Sequence, residues 1–177
     1  YHCCIAKDKK TTGLMVAVDA TCSGLQILAG LARDKSTAEL VNVVPSNKPS
    51  DAYKAVAEKA KEFLPTYMHR WMNRSVCKRT VMTIPYNATK DSSRKYIREA
   101  LLEEGIDPTK DELTQVVNAV YSSMDSIVPG PMQVMRWIKK HVGLYIRNGA
   151  KEVEWVTPSG FIAVSYTHLR AHETASD

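Results

Sequence analysis

A spacing of four residues runs through one stretch of this chain and favours a helix there. Arg74, Lys78, Met82 and Tyr86 stand at successive fourth positions. Positions four apart lie nearly above one another on an α-helix, so these side chains form one stripe. At 1.5 Å per residue the stripe is roughly 18 Å long, about the length of an extended nucleoside triphosphate. Cations suit phosphates and an aromatic ring suits a sugar or base, so the pattern predicts a helix that holds a nucleotide lengthwise.

The basic charge of the chain is concentrated around this stripe. Residues 74–99 contain seven Lys or Arg and two Asp or Glu, a net charge of +5 that equals the formal net charge of all 177 residues. The remainder is therefore neutral, which indicates a polyanionic partner. Positions 70–90 contain no acidic residue, so Arg74 and Lys78 are expected to repel each other unless an anion binds. The alternative is a basic amphipathic helix whose charges face solvent.

The bulk composition is that of an ordinary soluble globular domain, with 44% hydrophobic and 24% charged residues. The sequence has no apolar run near the ~20 residues that span a bilayer. Its four cysteines lack paired zinc-ligand spacing and are predicted to be reduced thiols. The start at Tyr1, without an initiator Met, suggests a piece of a longer chain.

Apolar periodicity and helix-ending residues predict a mainly helical chain. Leu14–Val18 is predicted to be a buried strand that ends at Asp19, and Ser23 is expected to cap the first helix. Pro85 places Tyr86 at or just past the end of the stripe helix. The predicted helices cover about residues 23–33, 51–63, 65–83, 90–103, 111–128 and 132–147, with a break at Pro129–Pro131, a short apolar piece at 41–44 and a hairpin of strands 152–156 and 161–164.

Asp19 is the second informative residue of the sequence. A carboxylate at the exit of a buried strand, followed by a turn of small residues, is a rigid mount for a metal ion. The backbone carbonyl of Ala20 can supply a second oxygen ligand. The alternative is an Asp that caps the next helix.

These segments together resemble the single-subunit RNA polymerases of bacteriophages and mitochondria. Residues 18–26, Val-Asp-Ala-Thr-Cys-Ser-Gly-Leu-Gln, are similar to the first palm motif of that family, and the stripe is similar to the motif of its fingers helix. Arg33-Asp34, residues 41–46 and residues 155–161 also match in the family's order. The resemblance covers about residues 14–163. It implies a helix-rich α+β fold, the fingers subdomain and part of the palm of a right-hand polymerase, with one short buried strand and a C-terminal hairpin.

The resemblance also implies roles for the matching residues. Asp19 is expected to bind catalytic Mg²⁺, one of two ions in the intact parent, with the carbonyl of Ala20 beside it. Arg74 and Lys78 are expected to hold the incoming triphosphate, and Tyr86 to sense the ribose 2′-hydroxyl. The residues expected to act in catalysis are Asp19, Lys78 and Tyr86, and those expected to bind substrate are Arg74, Lys78, Met82 and Tyr86.

Other cations of the basic segment are expected to contact nucleic acid, namely Arg79, Lys90, Arg94 and Lys95. The implied partners are a DNA template, an RNA product and ribonucleoside triphosphates, with no membrane and a monomeric parent. The implied location is the cytoplasm of a phage-infected cell, with the mitochondrion as the alternative.

Two other functions stay open at this stage. A family-A DNA polymerase fragment is the first, although such enzymes usually carry an aromatic residue at the position of Met82 and lack the Cys-Ser-Gly turn after Asp19. The second is a non-catalytic helical module that binds nucleic acid through residues 74–99 and does not depend on Asp19.

Three departures from the family pattern are visible. Asn87 replaces the usual Gly after the tyrosine, and Asn tolerates the left-handed backbone that the turn is expected to need. Ile27 replaces the usual His. The His-Asp-Ser motif with the second metal-binding Asp is absent, so these 177 residues alone are predicted not to polymerise nucleotides.

The resemblance divides the chain into four predicted parts. Residues 1–40 are assigned to a partial palm, 41–150 to helical fingers and 151–163 to a palm hairpin. Residues 164–177 have no clear periodicity and resemble a translated sequencing adapter, so they are predicted to be foreign to the protein.

Overall fold

The computed structural model describes residues 20–166, which form a helical body followed by a β-hairpin. The α-helices in this range are α1 (Ser23–Ala32), α2 (Lys35–Leu40), α3 (Ala52–Lys61), α4 (Arg74–Thr83), α5 (Lys90–Glu103), α6 (Lys110–Ile127) and α7 (Pro129–Arg147). Two short 3₁₀ helices cover Thr66–Trp71 and Ile84–Tyr86, and the strands are β1 (Glu152–Val156) and β2 (Ile162–Tyr166). None of these helices is long and apolar enough to cross a membrane.

The predicted helix-rich fold with a C-terminal hairpin is confirmed for this part of the chain. The predicted strand at residues 14–18 lies outside the described residues, as does Asp19. The assignment of subdomains as fingers and palm, and of residues 164–177 as foreign, stays a prediction.

Several helices begin where a polar side chain accepts a hydrogen bond from the backbone three residues later. Asp51, Asn73, Thr89 and Thr109 cap α3, α4, α5 and α6 in this way. Thr109 and Glu112 bond reciprocally, so α6 begins with a complete capping box. These caps satisfy backbone N–H groups that have no partner within the helix.

The predicted cap of α1 by Ser23 is wrong. Ser23 is already the first helical residue, and Cys22 precedes it with a left-handed backbone (φ 56°). A side chain caps a helix from an extended position just outside it. The Ser23 hydroxyl is therefore free for a tertiary contact, described below.

The predicted helix over residues 65–83 is divided in two. Met72 and Asn73 are extended, and they separate the Thr66–Trp71 3₁₀ helix from α4. The Asn73 side chain accepts a hydrogen bond from the Val76 N–H and so caps α4 from the position just before Arg74. The apolar periodicity continues across this break, so it did not reveal the cap.

Asp34 joins α1, α2 and α7. It caps α2, a helix that the sequence analysis did not predict, and it accepts a hydrogen bond from the Gly130 N–H at 3.1 Å. A Cβ at Gly130 would lie 2.6 Å from the Asp34 Cβ, so glycine permits this approach. Partial burial opposes ionisation of Asp34, but hydrogen bonds from Ser36, Thr37 and Gly130 outweigh it and lower its pKa to about 2.

The predicted break at residues 129–131 is also wrong in its position. Helix α7 begins at Pro129, and Val128 alone separates it from α6. Proline is favoured in the first turn of a helix because its missing N–H has no partner to lose there. The short apolar piece at 41–44 forms a turn in which Asn42 is left-handed (φ 61°).

The core orients α4. Helices α3, α5 and α6 pack around its inner face, where Val76, Cys77, Thr80 and Val81 are buried. These positions follow the helical period, so the opposite face of α4 must point outward. The fully buried side chains of the core include Leu25, Val56, Met68, Val76, Val81, Ile97, Leu101, Val116 and Met124.

The C-terminal hairpin has β1 and β2 antiparallel, with Val156 opposite Ile162 and Glu152 opposite Tyr166. Strand β2 begins one residue later and ends two residues later than predicted, so it includes residues 164–166. Trp155 is 52% exposed and Ile162 is 57% exposed. Two strands alone make a marginal sheet in water.

Candidate functional site

The structure places the predicted stripe on the outer face of α4 and on the turn that follows it. Arg74, Lys78 and Met82 are exposed on α4. Tyr86 lies in the Ile84–Tyr86 3₁₀ turn with 67% of its surface exposed. The expected helix and the position of Tyr86 just past its end are both confirmed.

The end of the stripe at Arg74 has an acidic partner that the sequence analysis missed. The Arg74 Nε donates to Asp51 Oδ2 at 2.7 Å, and its guanidinium carbon lies 5.2 Å from the centre of the Tyr53 ring. The expectation that Arg74 lacks an acidic neighbour is therefore wrong, because Asp51 reaches it from the start of α3. Burial opposes ionisation of Asp51, but hydrogen bonds from the Lys54 backbone and from Arg74 outweigh it and hold its pKa below the usual value.

Tyr53 connects Arg74 to the segment that follows Asp19. Its side chain is 5% exposed and belongs to the same buried cluster as Cys22, whose thiol lies near its hydroxyl group. Burial, with a smaller contribution from Cys22, raises the pKa of Tyr53, and burial also raises the pKa of Cys22. Both groups therefore stay neutral near pH 7. The neutral ring presents its face to the guanidinium, which favours a cation–π contact.

The other end of the stripe contacts the same segment directly. The Tyr86 hydroxyl lies 3.0 Å from Ser23 Oγ. A Cβ at Gly24 would lie 2.7 Å from Pro85 Cβ and 3.2 Å from Tyr86 Cζ, so the missing side chain of Gly24 provides the space for this turn. The Tyr86 end of the stripe thus contacts residues 23 and 24 directly, and the Arg74 end is linked to residue 22 only through Tyr53. Residues 22–24 begin three positions after Asp19.

The turn after Tyr86 tolerates its unusual residue. Asn87 is left-handed (φ 67°, ψ 30°), and its N–H donates to the Ile84 carbonyl. Asn accepts this backbone conformation better than most residues, so the expectation that the turn forms without glycine is confirmed. Ile27, the other described departure, projects from α1 with 62% of its surface exposed.

The cations expected to bind nucleic acid lie on α4 and α5, and most have partners. Arg79 pairs with Glu99 at 2.8 Å. Lys90 donates to the Asn118 side chain at 2.8 Å. In the same segment Arg94 pairs with Asp91, Arg98 with Asp107, and Arg79 also lies over the Tyr96 ring. Exposed pairs of this kind contribute about 0–1 kcal/mol each, so a phosphate can replace the carboxylate.

Two cations of the segment differ from the others. Lys78 and Lys95 are exposed, and no residue between 20 and 166 pairs with either. Lys78 lies one turn from Arg74 on the same face of α4. The stripe therefore keeps one uncompensated cation beside a paired one.

Sequence reasoning missed three members of the site, namely Ser23, Asp51 and Tyr53. Asp51 and Tyr53 were expected only to belong to the predicted helix over residues 51–63. No local signal connects these residues with the stripe, since they precede it by more than 20 positions.

Asp19 lies outside the described residues and Ala20 is the first described one. Within 20–166, no three His, Cys, Asp or Glu side chains cluster in a way that could hold a metal ion.

The motifs, the fold and the stripe can be compared with known proteins. The family model for DNA-dependent RNA polymerase matches residues 5–175. The chain belongs to this polymerase family. The match confirms the resemblance found in the motifs and does not support the alternative of a family-A DNA polymerase.

The relatives of this chain include three mitochondrial DNA-directed RNA polymerases. The mouse protein is 30% identical over 168 residues, the human protein 31% over 160 and the Schizosaccharomyces pombe protein 32% over 164. The alignments cover 88%, 83% and 78% of the chain respectively. The chain spans 13–14% of the length of these relatives. All three relatives are named as mitochondrial enzymes. They therefore do not support the expectation of a bacteriophage polymerase.

Proposed function

We propose that this chain is the nucleotide-binding part of a DNA-directed RNA polymerase that joins ribonucleotides on a DNA template. Membership of the family supports the reaction class. One structural observation carries the assignment of the site. Tyr86 contacts Ser23 at one end of the exposed stripe, and at the other end Arg74 lies over Tyr53, which is buried beside Cys22. The segment 22–24 begins three positions after Asp19.

The start of the stripe is suited to a triphosphate. Arg74 is oriented by Asp51 on one side and by the Tyr53 ring on the other, so little side-chain freedom remains to be lost when a phosphate binds. Lys78 adds an exposed, uncompensated ammonium group. Phosphoryl transfer depends mainly on positioning and on charge stabilisation, and these two cations supply both.

The end of the stripe is suited to the sugar. Met82 is 41% exposed and Tyr86 is 67% exposed, so an apolar side chain and a phenol face the same solvent region. A hydroxyl group can both donate and accept a hydrogen bond, which allows Tyr86 to recognise a ribose 2′-hydroxyl. This order of groups orients a ribonucleotide with its phosphates toward Arg74.

Asp19 and the carbonyl of Ala20 are the residues we propose to hold Mg²⁺. Carboxylate and carbonyl oxygens are ligands that Mg²⁺ accepts, and its other positions would be filled by water and by phosphate oxygens of the bound nucleotide. Bound Mg²⁺ would stabilise the negative charge that develops at the reacting phosphate. Because only one of the two expected metal-binding Asp residues is present, the 177 residues alone are not expected to polymerise.

The remaining cations extend this site toward nucleic acid. We propose that Arg79, Lys90, Arg94 and Lys95 contact the phosphates of the DNA template or the RNA product. Phosphate contacts of this kind make binding fall with salt. The proposed location is the mitochondrion, which the named relatives support, and the complete polymerase is proposed to act as a monomer.

The test uses the full-length polymerase that carries this segment. Asp19→Asn is expected to abolish RNA synthesis on a DNA template and to leave template binding nearly unchanged, because it removes a metal ligand and not a phosphate contact. Asp107→Asn is the matched control, since Asp107 is an exposed carboxylate on the loop after α5 that pairs with Arg98 at 3.6 Å. It is expected to keep full synthesis.

Two results would contradict the proposal. If Asp19→Asn retains synthesis, Asp19 does not hold the catalytic ion. If the full-length protein binds DNA in a salt-dependent manner but synthesises no RNA in either form, the non-catalytic binding module is the better description.

A further inference from the structure

Ser23 lies against Tyr86, the residue proposed to recognise the ribose, and its contact with Tyr86 joins the stripe to the segment after Asp19. Its hydroxyl oxygen is 3.0 Å from the Tyr86 hydroxyl oxygen, across a separation of 63 residues. Ser23 does not cap α1, and this contact is the one that its side chain makes within residues 20–166. A long-range side-chain contact at an exposed position constrains a ring that would otherwise move freely.

The backbone around Ser23 adds a second constraint on the same ring. Gly24 brings α1 so close that a Cβ would meet Pro85 at 2.7 Å and the Tyr86 ring at 3.2 and 3.3 Å. The ring edge therefore rests on the Gly24 backbone while its hydroxyl meets Ser23. These two contacts fix both the position and the rotation of the phenol.

Hydrogen-bond capacity decides what such a contact can do. A phenol has one hydrogen to donate and lone pairs to accept with, and a serine hydroxyl has the same capacities. One bond to Ser23 leaves Tyr86 able to make at least one more bond. The bond to Ser23 fixes the orientation of the Tyr86 hydroxyl and therefore the direction in which Tyr86 can make its second hydrogen bond.

We propose that Ser23 is a positioning residue that aims the Tyr86 hydroxyl at the ribose 2′-hydroxyl and thereby contributes to sugar selection. This inference rests on the proposed function of Tyr86 as the residue that recognises the ribose. Ser23 acts through Tyr86 and does not touch the nucleotide itself.

The experiment measures selection between ribo- and deoxyribonucleoside triphosphates by the full-length polymerase that carries this segment. Discrimination is the ratio of kcat/KM for the two sugars in single-nucleotide extension. Tyr86→Phe is expected to lower this ratio about tenfold, since a bond to the 2′-hydroxyl is lost. Ser23→Ala is expected to lower it about fivefold, the change that corresponds to about 1 kcal/mol for one neutral hydrogen bond.

Three further variants separate positioning from a general structural role. Ser23→Thr keeps the hydroxyl and is expected to restore discrimination. Ser122→Ala, which removes an exposed serine hydroxyl from α6, is expected to change nothing. The double variant Ser23→Ala with Tyr86→Phe is expected to discriminate no worse than Tyr86→Phe alone, because Ser23 acts only through the Tyr86 hydroxyl, which Tyr86→Phe already removes.

The outcomes distinguish the two proposals. If Tyr86→Phe lowers discrimination and Ser23→Ala does not, the positioning role is wrong and the proposed function stands. If the two changes are additive in the double variant, Ser23 acts independently of Tyr86 and the inference is also wrong. If Tyr86→Phe leaves discrimination unchanged, the proposed role of Tyr86 is refuted, and the inference with it.

Discussion

The contact between Gly24 and the Tyr86 turn can be tested with a single added methyl group. Gly24→Ala would place a Cβ 2.7 Å from Pro85 Cβ and 3.2 Å from the Tyr86 ring. The pyrrolidine ring of Pro85 cannot rotate away, so α1 and the Ile84–Tyr86 turn must separate. Helix α1 provides its own control at Gly30, where an added Cβ meets no atom within 4 Å.

The expected magnitude follows from comparing the two glycines. Forcing an extra methyl into a packed contact costs about 1–3 kcal/mol. Replacing Gly with Ala inside a helix stabilises it by up to about 1 kcal/mol at either position. The helix contribution largely cancels in the comparison, so Gly24→Ala should be less stable than Gly30→Ala by about 1–3 kcal/mol. For a chain of this size the Tm values should differ by roughly 2–12 °C.

Urea and thermal unfolding of the 177-residue chain, followed by circular dichroism, measure this difference. Gly30→Ala is expected to unfold at a slightly higher urea concentration than the parent, and Gly24→Ala at a lower one, both with an unchanged m value. If both variants are stabilised equally, Gly24 does not contact Pro85 and Tyr86 as described. That result would also remove the packing argument for the orientation of Tyr86.

Two further changes test other parts of the structure. Asp34→Asn should destabilise the chain by about 1–2 kcal/mol at pH 7, because folding lowers the pKa of Asp34 from 3.8 to about 2. This stabilisation is present above pH 4 and is lost as the pH falls toward 2. Urea unfolding between pH 7 and 2.5 measures it, and a variant with the same acid dependence as the parent would contradict the prediction. In the full-length polymerase, Arg74→Gln should weaken binding of a ribonucleoside triphosphate about tenfold or more, as expected for a lost charge-assisted phosphate contact. The control Arg98→Gln, which removes an equally exposed arginine of α5, should change triphosphate affinity little, and equal losses in a fluorescence titration would refute the specific role of Arg74.

Much of the local structure could be predicted from short-range patterns. The stripe predicted an exposed helical face, and α4 has that face because Val76, Cys77, Thr80 and Val81 supply the buried one. Pro85 predicted the end of this helix. Patterns of this kind succeed because backbone sterics and the separation of apolar from polar faces act over a few residues.

Helix starts were predicted less well. Ser23 looked like a cap and is not one, whereas Asn73 is a cap that divides an apparently continuous helix. The same residue types favour caps, turns and tertiary contacts, so composition does not distinguish these uses. The backbone angle at each position decides, and packing sets that angle.

The partners of the site could not be predicted. Asp51 pairs with Arg74 across 23 positions, and Ser23 meets Tyr86 across 63. A window around the stripe contained no acid, so Arg74 was expected to be uncompensated. Such pairs depend on how α1, α3 and α4 pack, which is information that no local stretch contains.

By itself the sequence determined the helical periodicity, the order of charged and aromatic groups along α4 and the family motifs, because each depends only on residues that are close together in the chain. The tertiary structure decided which groups surround that stripe, bringing Ser23, Asp51 and Tyr53 to its two ends. The physical reason is that burial of the core orients whole helices at once, and the contacts between their exposed edges follow from that orientation.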